Sequence, residues 1–208
     1  IRVANNMGGN AVAVAEVTVA LIVSTYRRLM VQWNDLNSKG VYGDGFSSDW
    51  GRFHELTGKR VGIVGLGQIG SRVAKRLAGW ECEVVYSDVQ QYSAEYEAAA
   101  GARRVDFDEL IETSDVISLH VPLDRSTEKI LSDREFAKMK RGAIVVNACR
   151  GPVVDEAAII RALDDGLIAG AGLDVTEVEP IEMANALIGR DNVVLLPHRA
   201  GLSVAARE

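Results

Sequence analysis

Val61-Gly62-Ile63-Val64-Gly65-Leu66-Gly67-Gln68-Ile69-Gly70 reads as a short apolar strand running into a glycine-rich turn, and Ser71 to Leu77 continues it as a helix. Spacing of this kind is weak alone, but between a strand and a helix each glycine has a task. Gly65 permits the tight turn, Gly67 lets a pyrophosphate approach the backbone, and Gly70 lets helix and strand pack closely. The first turn of the helix then offers unpaired N–H groups to the phosphates. The next strand ends at Ser87-Asp88, where a carboxylate can accept both hydroxyls of an adenosine ribose. Asp88 would also repel a 2′-phosphate, and no Arg or Lys follows it closely, so NAD is expected in preference to NADP.

Outward from this turn, short β-branched runs alternate with amphipathic helices. The runs are Arg60 to Val64, Glu83 to Ser87, Asp115 to His120, Ala143 to Asn147, Gly170 to Asp174 and Val193 to Leu195. Alternation of strand and helix implies a parallel sheet. Apolar residues at most positions of Val61 to Val64 and Ile144 to Val146 suit a sheet covered on both faces. The fold class is therefore α/β, a Rossmann-type doubly wound parallel sheet, in one domain over residues 1–208. Before it, apolar residues recur at helical spacing from Ala11 to about Trp33, with neither Gly nor Pro before Gly40, which predicts one long N-terminal helix. Residues 37–51, with Gly40, Gly43 and Gly45 and several serines, read as a loop to which no chemistry is assigned.

Bulk composition narrows the function classes. The 208 residues are 48% hydrophobic and 25% charged, enough apolar content for a core. Net charge is −6 and the basic residues are scattered among acids, so no field is set up to gather nucleic-acid phosphates. The most apolar run, Ala11 to Val23, is interrupted by Glu16 and Thr18 and is too short for the ~20 apolar residues of a spanning helix. Only two cysteines, Cys82 and Cys149, are present, which argues against a disulfide framework and for a reducing, cytoplasmic setting. No metal site is expected.

Three further stretches carry a likeness. They are Val145-Val146-Asn147-Ala148-Cys149-Arg150-Gly151, Gly172-Leu173-Asp174-Val175-Thr176-Glu177-Val178-Glu179-Pro180, and Leu196-Pro197-His198-Arg199-Ala200-Gly201. With the glycine turn and the Val14-Ala15-Glu16 segment, they make the chain resemble the D-isomer-specific 2-hydroxyacid dehydrogenase family over nearly its whole length. The resemblance implies a catalytic trio of Arg150, Glu179 and His198. The chemistry asks for these types. Reduction of a 2-oxoacid needs a proton for the carbonyl oxygen from a group that titrates near neutrality, which suits His198. A carboxylate on the imidazole fixes its tautomer and orientation, which suits Glu179. A planar guanidinium fork holds a carboxylate and polarises a carbonyl better than an ammonium does, which suits Arg150.

The resemblance also implies the remaining cofactor contacts. Gln68 and Ile69 would supply turn amides, Val121 and Thr127 would flank the adenosine side, and Ala148, Cys149 and Arg150 would lie along the nicotinamide ribose. Asp174 would face the carboxamide, with His198 and Gly201 close by. Cys149 is expected to be a small packing residue, since this chemistry needs no thiolate. His120 reads as a structural strand-end histidine. Val17 stands where the family usually carries a histidine. By the same resemblance, residues 1–10 and 202–208 read as crossover segments to a substrate-binding domain largely absent from the sequence, so that this piece alone is expected to be nearly inactive. The function implied is hydride transfer between NAD(H) and a small 2-oxo or 2-hydroxy acid of D configuration. The sequence leaves open a non-catalytic NAD-sensing module of corepressor type and formate or phosphite dehydrogenases of the same superfamily. Formate oxidation needs no acid–base pair, so Glu179 and His198 favour a hydroxyacid. A homodimer through the helix of residues 11–33 is expected, the alternative being that its apolar face is buried within the monomer or against another domain.

Overall fold

A computed structural model describes residues 8–42 and 53–207. Seven parallel strands form one sheet: β1 (Arg60–Val64), β2 (Glu83–Ser87), β3 (Arg103–Arg104), β4 (Val116–Leu119), β5 (Ile144–Asn147), β6 (Gly170–Leu173) and β7 (Val193–Leu195). Their spatial order is β3-β2-β1-β4-β5-β6-β7. The chain winds outward one way from β1 and, after β3, the other way from β4. The crevice of such a sheet lies where the winding reverses, beyond the carboxyl ends of β1 and β4.

Alternate side chains of each buried strand feed two separate cores. On one face Val64, Val85, Ile117 and Val145 pack under α5 (Phe107–Thr113), α6 (Asp133–Lys138) and α7 (Glu156–Asp164), through Leu110, Ile111, Phe136 and Ile159. On the other, Val61, Ile63, Tyr86, Ile144 and Val146 meet α1 (Ala11–Tyr26), α3 (Gly70–Leu77) and α4 (Ala94–Ala100), through Leu21, Ile22, Val73, Leu77 and Ala100. Both faces are covered, which is why the strands read as continuous apolar runs. The five longer strands on which that reading rests, and β7, fall within a residue of expectation at either end. The two-residue β3 was not expected; Arg103-Arg104 carries no apolar signal, and it pairs only along the outer edge of β2.

The long N-terminal helix is broken. The first helix ends at Tyr26, Arg28 takes a left-handed conformation with φ 50°, and α2 (Leu29–Asn37) starts in a new direction. Such a conformation costs a non-glycine residue about 1–2 kcal/mol. Compensation comes from packing: Tyr26 is buried beside Leu56 and its ring lies 5.1 Å from that of His54. Gln32 Nε2 donates to the Arg27 carbonyl at 2.7 Å, satisfying a group freed by the break. The apolar excess then divides. α1 buries Val14, Leu21, Ile22 and Tyr26 within the monomer, whereas α2 buries no residue and exposes Leu29, Met30, Trp33 and Leu36. The expected loop of residues 37–51 begins only after Asn37, and its residues 43–51, like residues 1–7 of the expected crossover segment, lie outside the described residues. No helix among the described residues is long and apolar enough to cross a membrane.

Candidate active site

The glycine turn has the geometry its spacing implies. Gly65 has φ +94°, and a Cβ there would come within 3.0 Å of the His120 carbonyl. A Cβ on Gly70 would fall 2.1 Å from the Gly65 carbonyl oxygen, so helix α3 reaches the strand only because none is present. A Cβ on Gly67 would meet nothing within 4 Å. The middle glycine thus faces an open cradle, the observation that a pyrophosphate lying against backbone amides requires. The residues present fit a dinucleotide.

Asp88, just beyond β2, closes the outer end of the cradle. Its Oδ2 accepts the Leu66 amide at 2.8 Å and the Tyr92 hydroxyl at 3.2 Å, and its Oδ1 accepts the Gln90 amide at 2.8 Å. Tyr96 donates its hydroxyl to the Leu66 carbonyl at 3.2 Å and stacks on Tyr92 with centroids 4.7 Å apart. Arg104 donates to the carbonyls of Asp88 at 2.8 Å and Gln90 at 3.3 Å. The sequence reading found Asp88 but missed Tyr92, Tyr96 and Arg104. Tyr92 lies just before the Ser93 cap of α4 and Tyr96 in its first turn; Arg104 acts through tertiary placement alone.

The inner end is assembled from loops that follow β4, β5, β6 and β7. Val121 lies against the glycine turn, its Cγ1 3.1 Å from where a Gly65 Cβ would sit. Thr127 is partly buried, and its hydroxyl donates to the Pro122 carbonyl at 2.6 Å and accepts the Asp124 amide. Ala148 and Ala200 form a small apolar cluster with Val14, against which Ile69 and Val17 pack, so the glycine turn and the segments after β5 and β7 meet. Gln68 is exposed beside Gly8, and Gly201 lies against Asn10.

Asn147 fixes the loop that carries Arg150. Its Nδ2 donates to the Arg150 carbonyl at 2.9 Å, and its Oδ1 accepts the Cys149 amide at 3.0 Å and thiol at 3.1 Å. The Cys149 thiol is turned into the protein and burial pushes its pKa up to about 11, so only the backbone of this residue can border a cofactor. The Arg150 guanidinium is exposed and donates at 2.6 Å to the Cys149 carbonyl. A Cβ on Gly151 would fall 1.8 Å from the Thr176 carbonyl oxygen. This glycine therefore sets Arg150 against the loop bearing Glu179.

That loop is clamped from behind. The Glu156 amide donates to Glu177 Oε2 at 3.2 Å while the Glu177 amide donates to Glu156 Oε2 at 2.9 Å. Glu179 accepts the Thr176 amide on Oε1 at 3.2 Å and meets His198 Nδ1 with Oε2 at 2.6 Å. An ionised carboxylate only accepts, so opposite it Nδ1 carries the proton and Nε2 is left outside the pair. His198 reaches this position with φ +53°, a region in which histidine is over-represented among non-glycine residues. Asp174, 1% exposed, fixes the turn: Oδ1 and Oδ2 accept the Arg199 and Ala200 amides at 3.0 and 2.8 Å, and its carbonyl accepts the His198 amide at 2.8 Å. His120 is half-buried just beyond β4, with Nε2 2.9 Å from the Ser118 hydroxyl and a buried Nδ1 without a partner among the described residues; desolvation lowers its pKa to about 3.

A doubly wound sheet with a phosphate cradle at its switch point and an acid beyond the second strand defines a dinucleotide-binding domain. The family model described as D-isomer specific 2-hydroxyacid dehydrogenase, NAD binding domain, matches residues 19–200. The glyoxylate reductase of Thermofilum pendens is 39% identical over 196 residues, covering 94% of this chain and 58% of its own length. Among solved structures, the TT0316 protein of Thermus thermophilus superimposes with a TM-score of 0.89 at 34% identity, over 100% of this chain and 64% of its own. D-lactate dehydrogenase with NAD+ from Lactobacillus jensenii gives 0.80 at 33%, over 93% and 60%. The chain belongs to the D-isomer specific 2-hydroxyacid dehydrogenase family and comprises its NAD-binding domain. It spans about three fifths of the length of these relatives.

Proposed function

We propose that this chain is the cofactor-binding part of an NAD-dependent reductase of small 2-oxoacids, acting reversibly on the D-2-hydroxy acid. The observation that carries the reading is the His198–Glu179 pair, 2.6 Å apart beyond the carboxyl edge of the sheet. Bound NADH would supply the hydride. On the protein side, Nε2 of protonated His198 gives its proton to the carbonyl oxygen, and Glu179 holds the ring in that tautomer and offsets the positive charge it carries. Arg150 directs its guanidinium fork at the substrate carboxylate and the carbonyl oxygen. Gly65, Gly67, Gln68, Ile69 and Gly70 would hold the pyrophosphate, and Asp88 the adenosine ribose. Val121, Thr127, Ala148, the Cys149 backbone, Asp174 and Gly201 would line the rest of the cofactor.

The choice of acid follows the relatives, one of which is named for glyoxylate and another for D-lactate. NAD is preferred to NADP because Asp88 lies where a 2′-phosphate would have to fit. The domain, residues 1–208, folds by itself. The exposed Leu29, Met30, Trp33 and Leu36 of α2 form part of a homodimer contact, which light scattering on Trp33→Glu tests by loss of the dimer. Two unpaired cysteines support a reducing, cytoplasmic setting, and the acidic surface supports neither nucleic-acid nor membrane binding. The decisive experiment is turnover of a panel of 2-oxoacids by the full-length enzyme and its His198→Ala variant. Equal rates would overturn the assignment.

A further inference from the structure

The hydrogen bonds on Asp88 leave too few acceptor positions for the ligand it serves. A carboxylate offers about four lone-pair sites. Leu66 N–H and Tyr92 O–H take both on Oδ2, and Gln90 N–H takes one on Oδ1. One remains, whereas a ribose with free 2′ and 3′ hydroxyls brings two donors. Both hydroxyls can bond Asp88 only if one of the three existing bonds yields.

The two amides cannot move without remodelling the chain. Leu66 belongs to the glycine turn, whose own carbonyl is tied by Tyr96, and Gln90 lies in a bend held at the Asp88 and Gln90 carbonyls by Arg104. The Tyr92 bond is the longest of the three, 3.2 Å against 2.8 Å, and its hydroxyl can turn about the ring C–O bond while the ring stays stacked on Tyr96. Burial and the neighbouring Asp88 charge raise its phenol to about 12, so the group remains a donor through the working pH range.

We propose that the Tyr92 hydroxyl occupies the acceptor site on Asp88 that the second ribose hydroxyl takes, so that NAD(H) binds by displacing it. Tyr92 is thus a positioning residue that keeps the carboxylate satisfied and aimed while no nucleotide is bound, and it sets affinity by competing with the ribose. The inference rests on the reading of Asp88 as the ribose acceptor.

Tyr92→Phe tests it, because the ring that stacks on Tyr96 is kept and only the competing donor is lost. Calorimetry is run with NADH and with its analogue lacking the adenosine 2′-hydroxyl, after far-UV circular dichroism has confirmed the fold. NADH should bind the variant about fivefold tighter, while the analogue, whose single hydroxyl finds the free site, should bind both proteins alike. Unchanged or weaker NADH binding, or an equal shift for both ligands, overturns the proposal. In the wild-type protein carrying 3-fluorotyrosine, the Tyr92 resonance should move with NADH and not with the analogue; movement with both, or with neither, also contradicts it. Asp88→Ala separates the two levels. If it leaves NADH affinity unchanged, the ribose reading fails and this inference with it. If it weakens NADH while Tyr92→Phe changes nothing, only the displacement is wrong.

Discussion

The two ends of the crevice are built differently. At the outer end the glycine turn, Asp88, Gln90, Tyr92, Tyr96 and Arg104 are joined in one hydrogen-bonded unit, much of it backbone. At the inner end the Arg150 guanidinium hydrogen-bonds, among the described residues, only the carbonyl of its neighbour Cys149, and the His198 and Glu179 side chains are 47% and 36% exposed. The difference matches two tasks. On the proposed function, a nucleotide tail is served by a rigid cradle, since rigidity reduces the ordering cost of binding. On the proposed function, proton transfer needs groups that can meet a reactant, which the exposure of these side chains allows.

Variants should separate the two ends cleanly. The largest effect is expected from His198→Ala in the full-length enzyme: kcat for 2-oxoacid reduction should fall about 10²–10⁴-fold, the usual worth of a general acid, while NADH affinity by fluorescence titration stays within twofold. A matching loss of NADH affinity would join what the structure separates. Glu179→Gln keeps the shape and loses the charge, so kcat should drop about 10²-fold with the nucleotide still bound. Gly70→Ala attacks the other end. Its Cβ would press on the Gly65 carbonyl at 2.1 Å, so NADH affinity should fall at least about tenfold and the melting temperature by several degrees. An unaltered titration would show that the cradle tolerates the methyl.

Two smaller effects probe the groups between the ends. His120 has a folded pKa of about 3, below the unfolded value of 6.5, so the unfolded chain takes up a proton that the folded chain refuses. Its contribution to stability is complete above pH 6.5 and is lost as pH falls from there towards 3. Urea midpoints should decline across that window, and less so in His120→Gln. Cys149, raised to about 11, should resist alkylation by iodoacetamide at pH 8 in the native state and react once urea unfolds the chain.

Much of this architecture is legible in the sequence because the residues concerned act locally. Gly70 answers to the Gly65 carbonyl five residues away and Gly65 takes a φ of +94° within its own turn, and the buried strands announce themselves by apolar runs. Arg150, Glu179 and His198 were readable as members of ordered motifs. The break at Arg27-Arg28 was not, since it is imposed by the packing of Tyr26 against Leu56 and His54 and is marked by neither Gly nor Pro. The Tyr96 and Arg104 contacts and the Glu156–Glu177 clamp are equally silent, because each joins segments that only the fold brings together.

The central claim, that the turn and Asp88 form a site for NAD, is tested most directly by titrating NADH and NADPH separately into the 208-residue chain in a calorimeter. NADH should bind at least about tenfold tighter than NADPH. Equal affinities, or tighter binding of NADPH, would contradict the account.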